Sequence, residues 1–132
     1  MRAVRWGVVG TGKIGLTKTI PGMLRGKHCA MMGLASRDLA KAQAAAQALG
    51  IPKAYGSYEA LLADPEIDAV YIALPNHLHV PWSTNALDAG KHVLCEKPIG
   101  LDAADAERLA TAAARHPRLK VMEAFMYRHH PQ

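Results

Sequence analysis

The chain has 132 residues, half of them hydrophobic, with 16 Lys and Arg against 11 Asp and Glu and a formal charge of +5. This length suits one domain with its own core, without disulfide or metal ties. No apolar run is long enough to cross a bilayer, and the basic residues are dispersed without interleaved aromatics, which argues against membrane and nucleic-acid partners. Met1–Arg2–Ala3 enters the first strand at once, leaving no room for a signal peptide, so the expected compartment is the cytoplasm. Cys29 and Cys95 lack any framework spacing and read as reduced thiols.

In chain order, an apolar strand at Ala3–Val9 runs into Gly10–Thr11–Gly12–Lys13–Ile14–Gly15. In this GxGxxG spacing Gly10 allows the tight turn, Gly12 lets backbone approach a pyrophosphate, and Gly15 lets the helix pack closely on the sheet. The turn, with Thr11, Lys13 and Ile14, offers unpaired N–H groups and the positive end of a helix to a dinucleotide phosphate. A glycine-rich turn that only needs positive φ is the structural alternative. Pro21 and Gly22 are expected to shorten or kink this first helix.

A second strand at Ala30–Ser36 ends in Ser36–Arg37, where the ribose-reading residue of a dinucleotide fold falls. Arg37 or Asp38 opens an Ala-rich helix ending at Leu49–Gly50, and a very short strand follows at Ala54–Tyr55. Ser57 precedes a short helix stopped by Asp64–Pro65. The strand Ala69–Ala73 leads into Leu74–Pro75–Asn76–His77–Leu78–His79, with Pro81 in the first turn of a helix running to Ala89. His92–Cys95 then leads into Glu96–Lys97–Pro98, Asp102 caps a long Ala-rich helix ending before Pro117, and a last strand covers Lys120–Glu123. Alternating strands and helices predict an α/β fold, a doubly wound parallel sheet of order 3-2-1-4-5-6. Ligands of such sheets bind outside the carboxyl ends of the strands, where all three clusters fall.

Within these clusters, Asn76 and the backbone of Leu74 and Pro75 can approach a ribose or nicotinamide, although an Asn-rich turn before a helix also accounts for them. The His77–x–His79 spacing lacks the Cys or acidic partners of a zinc site, so no metal is expected. Lys97 beside Glu96 can hold a substrate hydroxyl and take part in proton transfer. Composition alone favours a solvated Glu–Lys pair before a proline turn. A cis Lys97–Pro98 bond is expected.

Taken together, the glycine turn, Ala35–Ser36–Arg37–Asp38, Pro75–Asn76–His77–Leu78–His79, the run from Ala89 to Pro98 that reads AGKHVLCEKP, and Glu123–Ala124–Phe125–Met126–Tyr127–Arg128 resemble the N-terminal domain of the glucose–fructose oxidoreductase/inositol dehydrogenase/MocA-type family. The branch it most resembles contains aldose and trans-dihydrodiol dehydrogenases. The resemblance implies a Rossmann domain in which Gly10, Gly12 and Gly15 hold the pyrophosphate, Asn76 and Glu96 lie near the nicotinamide ribose, and Lys97 is the catalytic lysine that contacts cofactor and substrate. Thr11, Lys13, Ile14, Ser36, Arg37, Leu74, Pro75 and His79 complete the expected cofactor-binding set. NAD-preferring members tend to place an acid after the second strand, so Ser36–Arg37 points to NADP, since an acid would repel a 2′-phosphate that a guanidinium binds. The modest basic excess suits the same anionic cofactor.

The expected whole protein moves hydride between the nicotinamide and a CH–OH carbon of a sugar, polyol or dihydrodiol, with a small-molecule substrate and a homo-oligomeric state. A non-catalytic dinucleotide sensor of the same fold is the alternative, and FAD or S-adenosylmethionine would want the missing acid. The chain is expected to be one dinucleotide-binding domain over 1–132, inactive alone. Residues from about 122 to 132 would begin the connection to a second, catalytic domain absent from this chain.

Overall fold

The strands form where short apolar runs are bounded by glycine, proline and capping residues. They are β1 (Val4–Val9), β2 (Cys29–Ala35), β3 (Lys53–Tyr55), β4 (Ala69–Ile72), β5 (His92–Glu96) and β6 (Val121–Ala124) in a computed structural model that describes residues 1–131. Gln132, the end of the expected connection, lies outside the described residues. All six strands are parallel, in the order β3-β2-β1-β4-β5-β6. This is the predicted doubly wound sheet, and each strand boundary falls within one residue of its expected place.

Side chains alternate across the sheet, so Val8, Leu34 and Tyr71 pack on one face with Ile20, Ala42 and Ala46. Val9, Ala35, Val70, Ile72 and Val93 pack on the other with Leu61, Leu87 and Leu109. The helices supplying these partners are α1 (Ile20–Leu24), α2 (Leu39–Leu49), α3 (Tyr58–Leu62), α4 (His79–Asp88) and α5 (Ala103–Ala114). Three begin on side-chain caps that each satisfy an otherwise orphan amide. Asp38 accepts from Lys41 N–H at 3.2 Å, Ser57 from Ala60 N–H at 3.1 Å, and Asp102 from Asp105 N–H at 2.8 Å. Asp38, rather than Arg37, therefore opens α2, which ends on Gly50 at φ +69°.

The irregularity expected at Pro21 takes a specific form. Residues Gly15–Thr19 wind as a π-helical turn that runs into α1, with Ile20 N–H reaching back to Gly15 O. Proline has no N–H, and its ring crowds the carbonyl four residues back in an α-helix. The wider turn ahead of Pro21 relieves that crowding and lets the helix continue.

Charges at the amino-terminal edge of the sheet are paired. Asp68 accepts from the Arg5 guanidinium at 2.7 and 3.0 Å and from Arg5 N–H at 3.0 Å. Asp64 takes Lys53 Nζ at 2.8 Å, the Tyr55 hydroxyl, and Glu66 N–H at 2.7 Å, so it does more than end α3. Lys91, only 6% exposed, donates to the carbonyls of Asp64 and Ile67 at 2.7 and 2.8 Å, and burial lowers its pKa. The Lys53 hydrogen bond holds the Asp64 carboxyl well below the usual range, and the Arg5 hydrogen bond does the same for Asp68. A carboxyl whose folded pKa is depressed contributes stability that is complete above its unfolded value, near pH 4, and is lost as pH falls through the folded value. The melting temperature should therefore drop on acidification below about pH 4, and Asp64→Asn should show a shallower drop. An identical acid profile for the variant would contradict this.

Over β4–β6 the α1 side of the sheet is left open between the π-turn with α1 and the last turn at Met126–His129. It forms an apolar groove of about 740 Å³ lined by Trp6, Leu94, Met122, Phe125 and Met126, among others. Met126 and Tyr127 are 80% and 71% exposed. Contiguous exposed apolar surface drives association, so light scattering should show this chain self-associating as concentration rises. A monodisperse monomer at high concentration would count against it.

Candidate functional site

The site is built where strands end. Gly10 leaves β1 at φ +100°, a conformation that side chains rarely adopt, and its N–H donates to Ala35 O at 3.0 Å. A Cβ at Gly10 would stand 2.6 Å from Ala73 O, and one at Gly12 would stand 2.9 Å from the same oxygen. At Gly15 a Cβ would press on Ala73 Cβ and the Tyr71 ring, both at 3.2 Å. Gly15 thus lets the helix close onto the sheet, as read from the sequence. Gly12 is required by the pass of the turn over Ala73 as well as by any phosphate above it.

A cleft of about 1000 Å³ opens over this turn. Thr11, Gly12, Ile14, Ser36, Arg37, Leu74, Pro75, Asn76, His79, Glu96 and Lys97 line it, so the structure brings eleven of the sequence-derived site residues to one cavity. Gly10, Lys13 and Gly15 do not line it: Gly10 and Gly15 are buried beneath the turn, and Lys13 is exposed to one side. Lys97 and Gly12 share the carboxyl edge of the sheet, as the functional reading required.

At the β2 end, Ser36 Oγ accepts from Asp38 N–H at 3.2 Å, which leaves its O–H free to donate into the cleft. Asp38 lines the same cleft, with its Oδ1 capping α2 by accepting Lys41 N–H. The Arg37 guanidinium has no ion-pair partner among the described residues, and Lys41, missed in the sequence, lines the same wall. Its position one turn into α2 was the signal that could have found it.

At the β5 end the backbone around Lys97 is fastened from several sides. Glu96 Oε1 accepts the Tyr71 hydroxyl at 2.5 Å, and Oε2 accepts Lys97 N–H at 3.3 Å. The Tyr71 hydroxyl in turn accepts from Thr19 at 3.1 Å. Burial, then the Glu96 carboxylate, pushes the Tyr71 pKa up, so the phenol stays a donor. The Lys97–Pro98 bond is cis. Ile99 N–H donates to Glu123 Oε1 at 3.0 Å and Leu101 N–H to Asp105 Oδ2 at 2.9 Å. The Lys97 side chain is exposed, without an ion-pair partner among the described residues. Tyr71 and Thr19 escaped the sequence reading because a strand tyrosine and a helical threonine read as ordinary packing residues.

The two histidines of the Asn76 loop part company. His77 is exposed and lines a shallow surface groove beside α4 and α5, while His79 is 1% exposed with both ring nitrogens on main-chain carbonyls. His79 was expected to contact a cofactor, but its polar atoms face the protein. Cys95 is fully buried, its thiol pushed up to about 12 by burial.

A glycine turn passing under a cleft, hydroxyl and cationic groups at the second strand, and a lysine at the fifth define a Rossmann-type dinucleotide-binding domain. The profile of the family described as oxidoreductase family, NAD-binding Rossmann fold, matches residues 4–125, and the chain belongs to this GFO/IDH/MocA family. It is 51% identical over 126 residues to D-xylose 1-dehydrogenase (NADP(+)) 2 of Haloferax volcanii, covering 96% of this chain and 38% of that protein. It is 41% identical over 131 residues to trans-1,2-dihydrobenzene-1,2-diol dehydrogenase of Mus musculus, covering 98% of this chain and 39% of that one. A crystal structure of KijD10, a 3-ketoreductase from Actinomadura kijaniata, in complex with TDP-benzene and NADP superimposes with a TM-score of 0.94 at 38% identity. That match covers 99% of this chain and 41% of the other. The chain thus spans about two fifths of the length of these relatives.

Gly10→Ala should cost roughly 1–3 kcal/mol from backbone strain alone, with the contact against Ala73 O added. Thermal unfolding should show the loss; an unchanged melting temperature would contradict the close pass described above.

Proposed function

We propose that this chain binds NADP(H) as the cofactor-holding part of an oxidoreductase that acts on a CH–OH carbon of a sugar, polyol or dihydrodiol. The observation that carries the reading is the junction, in one cleft, of the Gly12 turn with unpaired Arg37 and Lys41 at one end and Lys97 at the other. The residues fit the cofactor, because the turn leaves backbone bare where a side chain cannot stand, and its N–H groups and helix start suit a pyrophosphate. Ser36 donates and Arg37 and Lys41 pair at the adenosine end, which suits a 2′-phosphate. The names of the Haloferax and Actinomadura proteins, one NADP-linked and one bound to NADP, support that choice.

When bound, the nicotinamide supplies hydride chemistry at the substrate carbon. The chain's own residues orient and move protons. Asn76 lines the same cleft as Glu96 and can hydrogen-bond a ribose or carboxamide. Glu96, fixed by Tyr71 and Lys97 N–H, offers its remaining lone pairs to a hydroxyl. Lys97 Nζ, free in the cleft on a fastened backbone, holds the substrate hydroxyl and exchanges its proton as the carbon is oxidised or reduced. On this reading the protein's partners are its small-molecule substrate and further copies of itself, and its compartment is the cytoplasm.

Titration with both cofactors tests the reading. The chain should prefer NADPH to NADH by about tenfold or more, from a charge-assisted contact of about 1.5–3 kcal/mol. Arg37→Asp should reverse the preference by repelling the 2′-phosphate while leaving NADH binding largely intact. Equal NADPH affinity in the two proteins would reject the assignment.

A further inference from the structure

His79 begins α4, and its ring lies between the two loops that carry Asn76 and Lys97. Nε2 sits 2.8 Å from Leu74 O, five residues back on its own loop, and Nδ1 sits 2.6 Å from Pro98 O, nineteen residues ahead. The ring is 1% exposed, so water cannot replace either contact. Both contacts are to acceptors, and one ring N–H serves a single carbonyl. Satisfying both takes a hydrogen on each nitrogen. Asp105, 5% exposed on α5, faces the same end of the Lys97 loop, where its carboxylate accepts Leu101 N–H and the Arg108 guanidinium, and the Leu101 hydrogen bond is the first cause that holds its pKa low.

We infer that His79 is a positioning residue: donating from both ring nitrogens, it ties the Leu74 carbonyl of the Asn76 loop to the Pro98 carbonyl of the Lys97 loop. It thereby sets the spacing of the two cleft walls at the end away from Arg37. The inference rests on the dinucleotide reading only for what occupies that end. Neither loop has another side-chain tie to the other among the described hydrogen bonds, whereas the Gly12 turn and the Ser36–Arg37 wall are held independently, by Gly10 N–H on Ala35 O and Ser36 N–H on Tyr55 O. Loss of the tie should therefore loosen one half of the site and spare the other. A residue that merely filled core volume would affect both halves together or neither.

The experiment uses the 132-residue chain, with His79→Phe, which keeps a buried ring but removes both donors, and His79→Asn, whose amide nitrogen can replace the donor near Nδ1. NADPH binding is followed by nicotinamide fluorescence, and binding of adenosine 2′,5′-bisphosphate, which lacks the nicotinamide half, by calorimetry. His79→Phe should weaken NADPH about tenfold, the scale of unpairing buried polar groups, with bisphosphate affinity within about twofold of wild type. His79→Asn should recover part of the loss by restoring the tie to Pro98.

On wild type, nitrogen-15 spectra of the imidazole should show a proton on each ring nitrogen. NADPH affinity unchanged in His79→Phe, equal losses for both ligands, or an aprotic ring nitrogen would each overturn the inference. If His79→Phe does not fold, His79→Asn and the wild-type spectrum decide it. Wild type that binds neither ligand would instead reject the dinucleotide reading, and the spectrum would still decide the tie.

Discussion

The pass of the Gly10–Gly12 turn over the Ala73 carbonyl is the constraint on which the rest of the site depends. It brings the end of β1 and the end of β4 closer than any side chain allows, with hypothetical Cβ atoms 2.6 and 2.9 Å from one oxygen. Because β1 and β4 are central neighbours in a parallel sheet, that approach sets the floor of the cleft. The second strand then rises on one side of it and the fifth on the other. Parallel pairing is what makes the arrangement productive, since each strand delivers its following loop to the same edge. Residues as far apart in sequence as Gly12, Ser36, Asn76 and Lys97 share one cavity for that reason.

The two edges of the sheet treat charge differently. At the amino-terminal edge Arg5, Lys53 and Lys91 are matched by Asp68, Asp64 and main-chain carbonyls, and these contacts fasten the loop between α3 and β4. At the carboxyl edge Arg37, Lys41 and Lys97 have no ion-pair partner among the described residues, while the one acid facing Lys97's backbone, Glu96, is held by Tyr71. Pairing at one end serves stability, while at the other the cations stand unpaired around bare backbone and leave the cleft positively charged. The backbone beneath Lys97 is correspondingly stiff: Glu96, His79, Glu123 and Asp105 hold successive groups from residue 97 to residue 101. Organisation of this kind lets an exposed side chain act from a defined place.

The strand order, the caps at Asp38, Ser57 and Asp102, and the glycine turn were legible residue by residue, because each is a local demand. Alternation of apolar runs, a side-chain oxygen before a helix and a position that must adopt positive φ are all written within a few neighbours. Most of the cleft was legible too, since its residues directly follow strands. Less so were Lys41, whose side chain joins the wall only through the turn of α2, and the π-helical turn that carries Thr19 to Tyr71.

By itself, the sequence determined a parallel α/β sheet with its glycine turn and its chemistry-bearing loops at one edge, because periodicity and φ preferences act over short spans of chain. Only the tertiary structure decided that Tyr71 holds Glu96 across 25 residues and that His79 turns its nitrogens to Leu74 and Pro98 rather than to the cleft. Those pairings depend on the register between strands and on which way a buried ring faces. Both are set by packing against neighbours distant in the chain, and a run of residue types does not encode them locally.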